Sequence, residues 1–270
     1  MKAITRVGNA FLIVGIFLIM GACSKDSSIP LTIFTVDDDI AMGHQMDQEI
    51  SSNPAEYPVL DSVQYAAAYA HLYGIRNTIL ASGKLKYAST FQWKLRIIQD
   101  DSTVNAFCIP AGYIYVYTGI IKVLDNEAQF AGVLAHEMAH ADLRHTSQQL
   151  TLVYGESLLL SLILGNDPSQ LAQIIANLAQ GLGNLAYSRN HEYAADSYAV
   201  KYLYPTKYDA ASLGDFFVKM ESQPTPPVFL SSHPSPEDRL AKITETFNSL
   251  GGVHGGTFVT EYQQFKSLLP

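Results

Sequence analysis

Residues 134–145 carry the feature that most constrains this chain, two histidines and a glutamate spaced as H-E-x-x-H within an apolar run. In an α-helix, His136 and His140 lie one turn apart on the same face, so both imidazoles reach one point, and Glu137 projects beside that point. The pattern predicts a metal site with zinc as the ion, because zinc accepts imidazole nitrogen and carboxylate oxygen in a tetrahedral shell. The alternative is a buried amphipathic helix with two hydrogen-bonded histidines.

A second pair of side chains with the same spacing lies about fifty residues downstream, where Glu192 and Asp196 are separated by one helical turn. A catalytic zinc keeps three protein ligands, so the third ligand must come from another helix. One of these two carboxylates can bind the metal while the other accepts the free N–H of a ligand histidine. The alternative is a solvated acidic helix face, although the neighbours of this pair are alanine and tyrosine.

The N-terminus has the pattern of a bacterial export signal. Lys2 and Arg6 precede an apolar run at residues 10–20, which is shorter than the about 20 residues needed to span a bilayer. The run ends in small residues, and residues 20–23 resemble a lipobox. We therefore predict a signal peptide at residues 1–22, a lipidated Cys23 and a tether at residues 23–35. The alternative is an ordinary cleaved signal followed by an incidental cysteine.

Charge and cysteine content narrow the class of protein. Loss of residues 1–22 removes two positive charges and no negative ones, so the formal net charge moves from −8 to −10. An acidic protein is a poor nucleic-acid binder, and no nucleic-acid partner is expected. Cys108 would be the remaining thiol, so no intramolecular disulfide is available and stability must come from a packed core.

Hydrophobic periodicity predicts an α+β, mainly helical domain at residues 36–250, followed by a tail at residues 251–270 that forms a peripheral helix. Thr35 is the predicted N-cap of the first helix. The second predicted helix covers residues 61–82, and the residues expected to face its core are Val63, Ala67, Ala70, Ile75 and Ile79. Three short strands, predicted to form a small antiparallel sheet just before the H-E-x-x-H helix, cover residues 92–99, 105–109 and 112–118.

Two apolar helices are predicted after that helix, at residues 150–164 and 171–182. Neither is long enough to span a membrane. Residues 158–164 are so apolar that they must be buried, or else face lipid or substrate. Burial is the prediction.

Four motifs, taken in chain order, resemble those of the M48 family of zinc metallopeptidases, and the likeness is greatest to small bacterial M48 lipoproteins. The motifs are Asn105-Ala106-Phe107 with residues 113–119, then residues 136–145, then residues 188–196, and last His233-Pro234 with Arg239. The resemblance implies a gluzincin-type zincin domain, mainly helical, in which the edge strand of a small sheet holds the substrate. A metzincin site is excluded, because Leu143 and Thr146 occupy its glycine and third-histidine positions.

The resemblance implies a metal site and a catalytic base. One zinc ion per chain would be bound by His136, His140 and Glu192. Glu137 would take the proton of the attacking water and deliver it to the leaving amine. His145 lies about 140° around the helix from His140 and is interpreted as structural.

The resemblance also implies contacts with a polypeptide substrate. Asn105 and the backbone near Ala106 would pair with an extended peptide by strand addition, and Arg239 is assigned to substrate binding as well. His233 would either donate to the oxyanion or bind zinc reversibly in a resting state. The third possibility for His233 is a loop residue without a catalytic role.

These features predict a zinc metalloendopeptidase that is lipid-anchored in the bacterial cell envelope and faces the periplasm, with the outer membrane as the expected location. Misfolded or unassembled envelope proteins are the substrates that the family suggests. A chaperone-like zinc lipoprotein with little turnover is the competing hypothesis, which the intact Glu137 disfavours. A helical scaffold without metal is disfavoured by the four ordered motifs.

Overall fold

The computed structural model describes residues 34–181, 185–234 and 238–270. The predicted signal peptide, Cys23 and most of the tether lie outside the described residues. The helices are α1 Val36–Ser52, α2 Ala66–Leu80, α3 Thr118–Val123, α4 Glu127–Asp142, α5 His145–Tyr154, α6 Glu156–Ile163, α7 Pro168–Ala179, α8 Arg189–Leu203, α9 Ser212–Glu221, α10 Val228–Ser232, α11 Arg239–Ser249 and α12 Val259–Ser267. The strands are β1 Lys94–Ile98, β2 Ala106–Ile109 and β3 Tyr113–Tyr117. The predicted fold class, mainly helical with a small sheet, is confirmed.

The sheet has the order β1-β3-β2 and is mixed, so the prediction that it is antiparallel holds for only one of its two strand pairs. β3 is antiparallel to β2 and parallel to β1. The strand directions alternate along the chain as expected, but β3 inserts between the two earlier strands. Periodicity within a strand records which face is buried and carries no information on which strands are neighbours.

The turn between β2 and β3 also fixes the first helix. A 3-10 turn joins the strands, with Ala111 and Gly112 in the left-handed region at φ 63° and 79°. α1 crosses this turn so closely that a Cβ on Gly43 would lie 2.2 Å from the carbonyl oxygen of Pro110. Glycine is therefore required at position 43 by packing, although it lowers helix propensity there.

The helix with the H-E-x-x-H motif, α4, is central to the molecule. All of its residues are buried, and it packs against α8, α9 and β2. Asn126 is its N-cap and accepts a hydrogen bond from the backbone N–H of Gln129. The tail helix α12 also packs on α4, because its fully buried Tyr262 and Phe265 contact the ring of Phe130. The tail thus forms the predicted surface helix, and two buried aromatic side chains fix it to the core.

The second predicted helix begins later than expected. Residues 61–64 form a turn in which the Asp61 carboxylate accepts hydrogen bonds from the backbone of Val63 and Gln64, and Val63 is 83% exposed. The buried side chains of α2 are Ala68, Tyr69, Leu72, Ile75 and Ile79. The predicted core positions Ile75 and Ile79 are therefore right, and Val63, Ala67 and Ala70 are wrong, because the helix starts only at Ala66 and its first two turns bury Ala68, Tyr69 and Leu72 instead.

The predicted helix at residues 150–164 is divided in two at Gly155, which adopts φ 78°. In α6, Leu159 and Leu162 are buried, but Leu160 is 41% and Leu164 is 76% exposed. The prediction that this apolar stretch is buried is therefore right for one helix face and wrong for the other. Within the described ranges, no helix has both the length and the hydrophobicity to cross a bilayer.

Candidate metal centre

Four side chains from three parts of the chain converge beside α4. His136 and His140 come from α4, Glu192 from the first turn of α8, and His233 from the residue after α10. One potential ligand atom of each lies within 4.8 Å of the others, and all four side chains are buried. The structure thus brings together the three predicted zinc ligands and His233. This group could hold a metal ion.

The spacing of the ligand atoms fits a small tetrahedral ion. The two Nε2 atoms of His136 and His140 are 3.0 Å apart, and each lies 3.4 Å from an oxygen of Glu192. Tetrahedral zinc with bonds of about 2.0–2.1 Å places its ligand atoms about 3.3–3.4 Å from one another. Buried imidazole and carboxylate groups at this separation are the donors that zinc prefers.

The outward nitrogens of both imidazoles have partners that orient the rings. His136 Nδ1 is 2.9 Å from an oxygen of Asp196, and His140 Nδ1 is 3.1 Å from Nδ1 of His145. Asp196 therefore lies where the one-turn spacing from Glu192 predicted it. His145 is buried and stacks on His191 at 4.4 Å, so its ring is held in place. These contacts direct the Nε2 atoms toward the shared centre.

Glu137 is in an unusual environment for a carboxylate. It is fully buried, and neither oxygen has a partner in regular hydrogen-bond geometry; its polar neighbours are the Nε2 of His233, 3.3 Å away, and the Cys108 thiol. Burial raises the pKa of Glu137 above its ordinary value, and the nearby histidines only partly oppose this. A carboxylate with free lone pairs and a raised pKa is suited to accept and return a proton near neutral pH.

The neighbouring charges act differently on Glu192. Burial alone would raise the pKa of Glu192, but Arg239 and His233 outweigh it and hold the pKa well below its usual range. Burial lowers the pKa of His136, but its contacts with Asp196 and Glu192 outweigh burial and raise this pKa to about 9. A bound divalent cation would therefore compete with a proton on His136.

Arg239 is buried against the acidic pair of α8, Glu192 and Asp196. It is 1% exposed, its Nε donates to Asp196 at 2.6 Å, and its Nη2 lies 2.6 Å from Glu192 Oε2. Its guanidinium also lies over the Phe217 ring, 3.7 Å from the centroid. These contacts enclose the side chain behind the acidic pair, and the role of Arg239 in substrate binding stays a prediction.

His233 contacts both a histidine and the glutamate of the centre, and its backbone carbonyl accepts a hydrogen bond from Arg239. Its Nδ1 is 3.2 Å from both His136 Nε2 and Glu192 Oε1, and its ring stacks on Phe229 at 4.3 Å. The short helix α10, which carries Phe229, was missed by sequence reasoning. Its proline-rich surroundings are typical of a loop, and five residues are too few for a periodic signal.

Two of the predicted substrate-binding residues, Asn105 and Ala106, lie at the start of the edge strand β2. Asn105 accepts a backbone hydrogen bond from Tyr117, so the next residue, Ala106, directs its backbone N–H and C=O to the outer edge of the sheet. The side chain of Asn105 is fully buried and donates to the carbonyl of Ala179 at the end of α7, 2.8 Å away. The backbone groups of Ala106 thus point to the outer edge of β2, but Ala106 is fully buried, and the nearby Val104 carbonyl accepts a hydrogen bond from Phe229 of α10. The Oδ1 of Asn105 is buried without a hydrogen-bond partner.

Tyr187 is a site residue that sequence reasoning missed. Its ring stacks on His140 with centroids 3.9 Å apart, and its hydroxyl lies 2.9 Å from Thr146 Oγ1 and 3.8 Å from the Cys108 sulfur. Its backbone N–H donates to Ser232 in α10. The only sequence signal is its position directly before the 188–196 motif, which does not specify a contact with α4.

The domain is mainly helical with a small sheet. Two packed helices bring together two histidines, a glutamate and a carboxylate base in one buried cluster. This combination defines a metallopeptidase. The comparison with known families specifies which kind. Residues 69–247 match the family described as Peptidase family M48, and the chain belongs to that family. The predicted enzyme class, a metallopeptidase, is thereby confirmed.

The similar proteins include beta-barrel assembly-enhancing proteases and the mitochondrial metalloendopeptidase OMA1. The chain is 29% identical over 160 residues to the putative beta-barrel assembly-enhancing protease of Vibrio cholerae, which covers 54% of this chain and 33% of that protein. It is 31% identical over 163 residues to the mitochondrial metalloendopeptidase OMA1 of Schizosaccharomyces pombe, covering 58% and 47%. The beta-barrel assembly-enhancing protease of Escherichia coli is 28% identical over 168 residues, covering 57% and 34%. The chain thus spans less than half the length of these relatives.

Proposed function

We propose that this protein is a zinc metalloendopeptidase that hydrolyses unfolded or unassembled polypeptides of the bacterial cell envelope. One observation carries the proposal. The Nε2 atoms of His136 and His140 and the carboxylate of Glu192 converge at 3.0–3.4 Å, directly beside a buried Glu137 whose oxygens have no partner in regular hydrogen-bond geometry.

His136, His140 and Glu192 would hold the zinc ion, with Asp196 orienting His136. Zinc bound there supplies Lewis acidity, which polarises the scissile carbonyl and makes water more acidic. Glu137 accepts the proton of the attacking water and passes it to the departing amine. Its raised pKa serves both steps, because the carboxylate must bind the proton in the first and hold it until the second.

The proposed substrate is an extended chain segment. The backbone groups of Ala106 that face the outer edge of β2 would pair with it as an added strand, next to Asn105. Strand addition requires a free backbone, so unfolded or unassembled proteins fit better than folded ones. The metal-binding group is fully buried, so α10 with His233 must move away from it before a peptide can reach the centre.

The envelope location rests on the N-terminal pattern and on the relatives. Residues 1–23 have the export and lipobox features, and the Vibrio cholerae and Escherichia coli relatives are named for beta-barrel assembly. We therefore place the chain in the periplasm, anchored by lipid on Cys23, with the outer membrane as the favoured side. The competing function, a zinc-binding chaperone with little turnover, leaves the isolated carboxylate of Glu137 without a purpose.

The proposal is tested by comparing Glu137→Gln with the wild type on an unfolded protein substrate, with zinc measured by elemental analysis. Glutamine has similar volume and cannot accept a proton, so we expect hydrolysis to fall by about 10²–10⁴-fold while one zinc per chain is retained. Glu245→Gln, which changes an exposed carboxylate of α11, is the matched control. Cleavage near the wild-type rate in Glu137→Gln, or zinc retained in a His136→Ala, His140→Ala double variant, contradicts the proposal.

A further inference from the structure

Helices α5 and α6 expose large apolar side chains to solvent. Leu152 on α5 is 67% exposed, Leu160 on α6 is 41% exposed, and Leu164, directly after α6, is 76% exposed. Leu160 and Leu164 are one turn apart and share a face of α6, opposite the buried Leu159 and Leu162. We call Leu152, Leu160 and Leu164 the leucine surface. Two exposed leucines one turn apart on one helix face are more typical of a contact site than single exposed leucines are.

The chemistry around the leucine surface restricts its partner. No lysine or arginine occurs between Arg144 and Arg189, and the only acidic residues in that interval are Glu156 and Asp167. The α5–α6 segment itself therefore offers almost no ion-pairing groups, and the charged residues beside it, such as the exposed Asp37, belong to α1. The surface therefore fits a partner that is recognised by apolar contact and needs no attraction to anionic groups.

Both ends of the α5–α6 pair are attached to the helix at which the described chain begins. Arg144, directly before α5, pairs with Asp39 of α1 and donates to the carbonyl of Thr35 at 2.9 Å. At the other end, the Gln45 amide of α1 donates to the carbonyl of Ile163. The leucine surface is therefore held beside α1, whose first turn receives the N-terminal part of the chain.

That N-terminal part contains the predicted lipid attachment site Cys23, which becomes the first residue once residues 1–22 are removed. The twelve residues from Cys23 to Thr35 can extend over at most about 40 Å. A lipid on Cys23 would thus keep the leucine surface within reach of the same bilayer. Leucine side chains next to an anchor enter the interfacial region at low cost, because no charge has to be desolvated with them.

We propose that the leucine surface contacts the lipid bilayer and inserts Leu160 and Leu164 into its interfacial region, which orients the domain on the membrane. This second contact rests on the proposed lipid anchor at Cys23, but it goes beyond peptide hydrolysis and does not require it. A lipid on Cys23 alone would anchor the chain at one point, and this second contact would also fix the orientation of α6 toward the bilayer. Two other occupants of the surface, the residues N-terminal to Phe34 and an apolar segment of a substrate, are distinguished by the experiment.

The test uses the full chain reconstituted through its own N-terminus into phosphatidylcholine vesicles, with and without bromine atoms on the lipid tails. Tryptophan is introduced as Leu164→Trp and, as the matched control, as Val253→Trp on the loop after α11, where the native residue is 70% exposed. The native Trp93 is 2% exposed and supplies the same background in both proteins. Brominated lipid quenches only tryptophan that reaches the acyl region.

We expect brominated lipid to remove most of the added fluorescence of Leu164→Trp and almost none of that of Val253→Trp. Leu160→Ser combined with Leu164→Trp should reduce this quenching while hydrolysis of a soluble peptide stays unchanged. Equal quenching of the two tryptophan variants overturns the proposal. A blue-shifted Leu164→Trp spectrum that brominated lipid does not quench also overturns it, since the surface is then covered by protein.

Discussion

Replacing Arg239 with methionine tests the role that the structure gives this residue. The side chain is 1% exposed and supplies the positive charge for two buried carboxylates, Asp196 and Glu192, at 2.6 Å each. Methionine keeps most of the apolar contact with Phe217 and removes the charge. The substitution therefore leaves two carboxylates buried with less compensation.

The loss in free energy of unfolding expected for Arg239→Met depends on whether a metal ion is bound. Removing one partner of a buried ion pair costs about 3–5 kcal/mol, so Arg239→Met should lower the free energy of unfolding by about that amount in chelator. A bound divalent cation would neutralise Glu192, and His136 already lies 2.9 Å from Asp196. With zinc present we expect a loss of about 1–3 kcal/mol, the cost of an imperfectly satisfied buried group.

The assay is urea unfolding of the wild type and Arg239→Met, each in chelator and in saturating zinc. Arg189→Met, which removes an exposed arginine at the start of α8, is the control and should change stability by less than about 1 kcal/mol. The reasoning is refuted if Arg239→Met behaves like Arg189→Met in chelator. Unchanged stability together with a raised KM would instead identify Arg239 as a substrate-binding residue.

Three further predictions concern other parts of the chain. Burial raises the pKa of Glu127, but its contacts with His71 and other partners outweigh burial and lower this pKa to about 2. The ionised Glu127 therefore stabilises the fold above its unfolded-state pKa, and this stabilisation is lost as pH falls toward 2. In urea unfolding, Glu127→Gln should be less stable than wild type by about 1–2 kcal/mol at pH 7 and nearly equal to it at pH 2. His233→Ala, which vacates a buried ligand position, should raise kcat on unfolded protein by roughly tenfold, or about 1.4 kcal/mol of closed-state stabilisation, whereas a hundredfold fall would identify His233 as an oxyanion donor. Cys23→Ala should leave the membrane fraction, because one weak apolar contact does not replace an acylated cysteine; full retention on membranes in cell fractionation would contradict the predicted anchor.

The parts of this protein that could be derived from its sequence are those governed by local geometry. The one-turn spacing of His136 with His140 places both rings on one helix face, and the same spacing predicted that Glu192 and Asp196 act together. Thr35 was predicted as an N-cap, and the structure shows it in a capping box with Asp38. These relations depend on a few neighbouring residues and on the fixed geometry of the helix, so they do not change with the rest of the fold.

The remaining features depend on residues that meet only after the chain has folded. Arg239 lies 43 residues beyond Asp196, and its pairing follows from the packing of α11 on α8. Tyr187 reaches His140, and β3 inserts between β1 and β2, through contacts that no periodicity encodes. Burial of Leu159 with exposure of Leu160 was decided in the same way, because hydropathy describes a residue and exposure describes its surroundings. Local patterns therefore determined the chemistry of the candidate centre, and tertiary packing decided which charges surround it and what covers it.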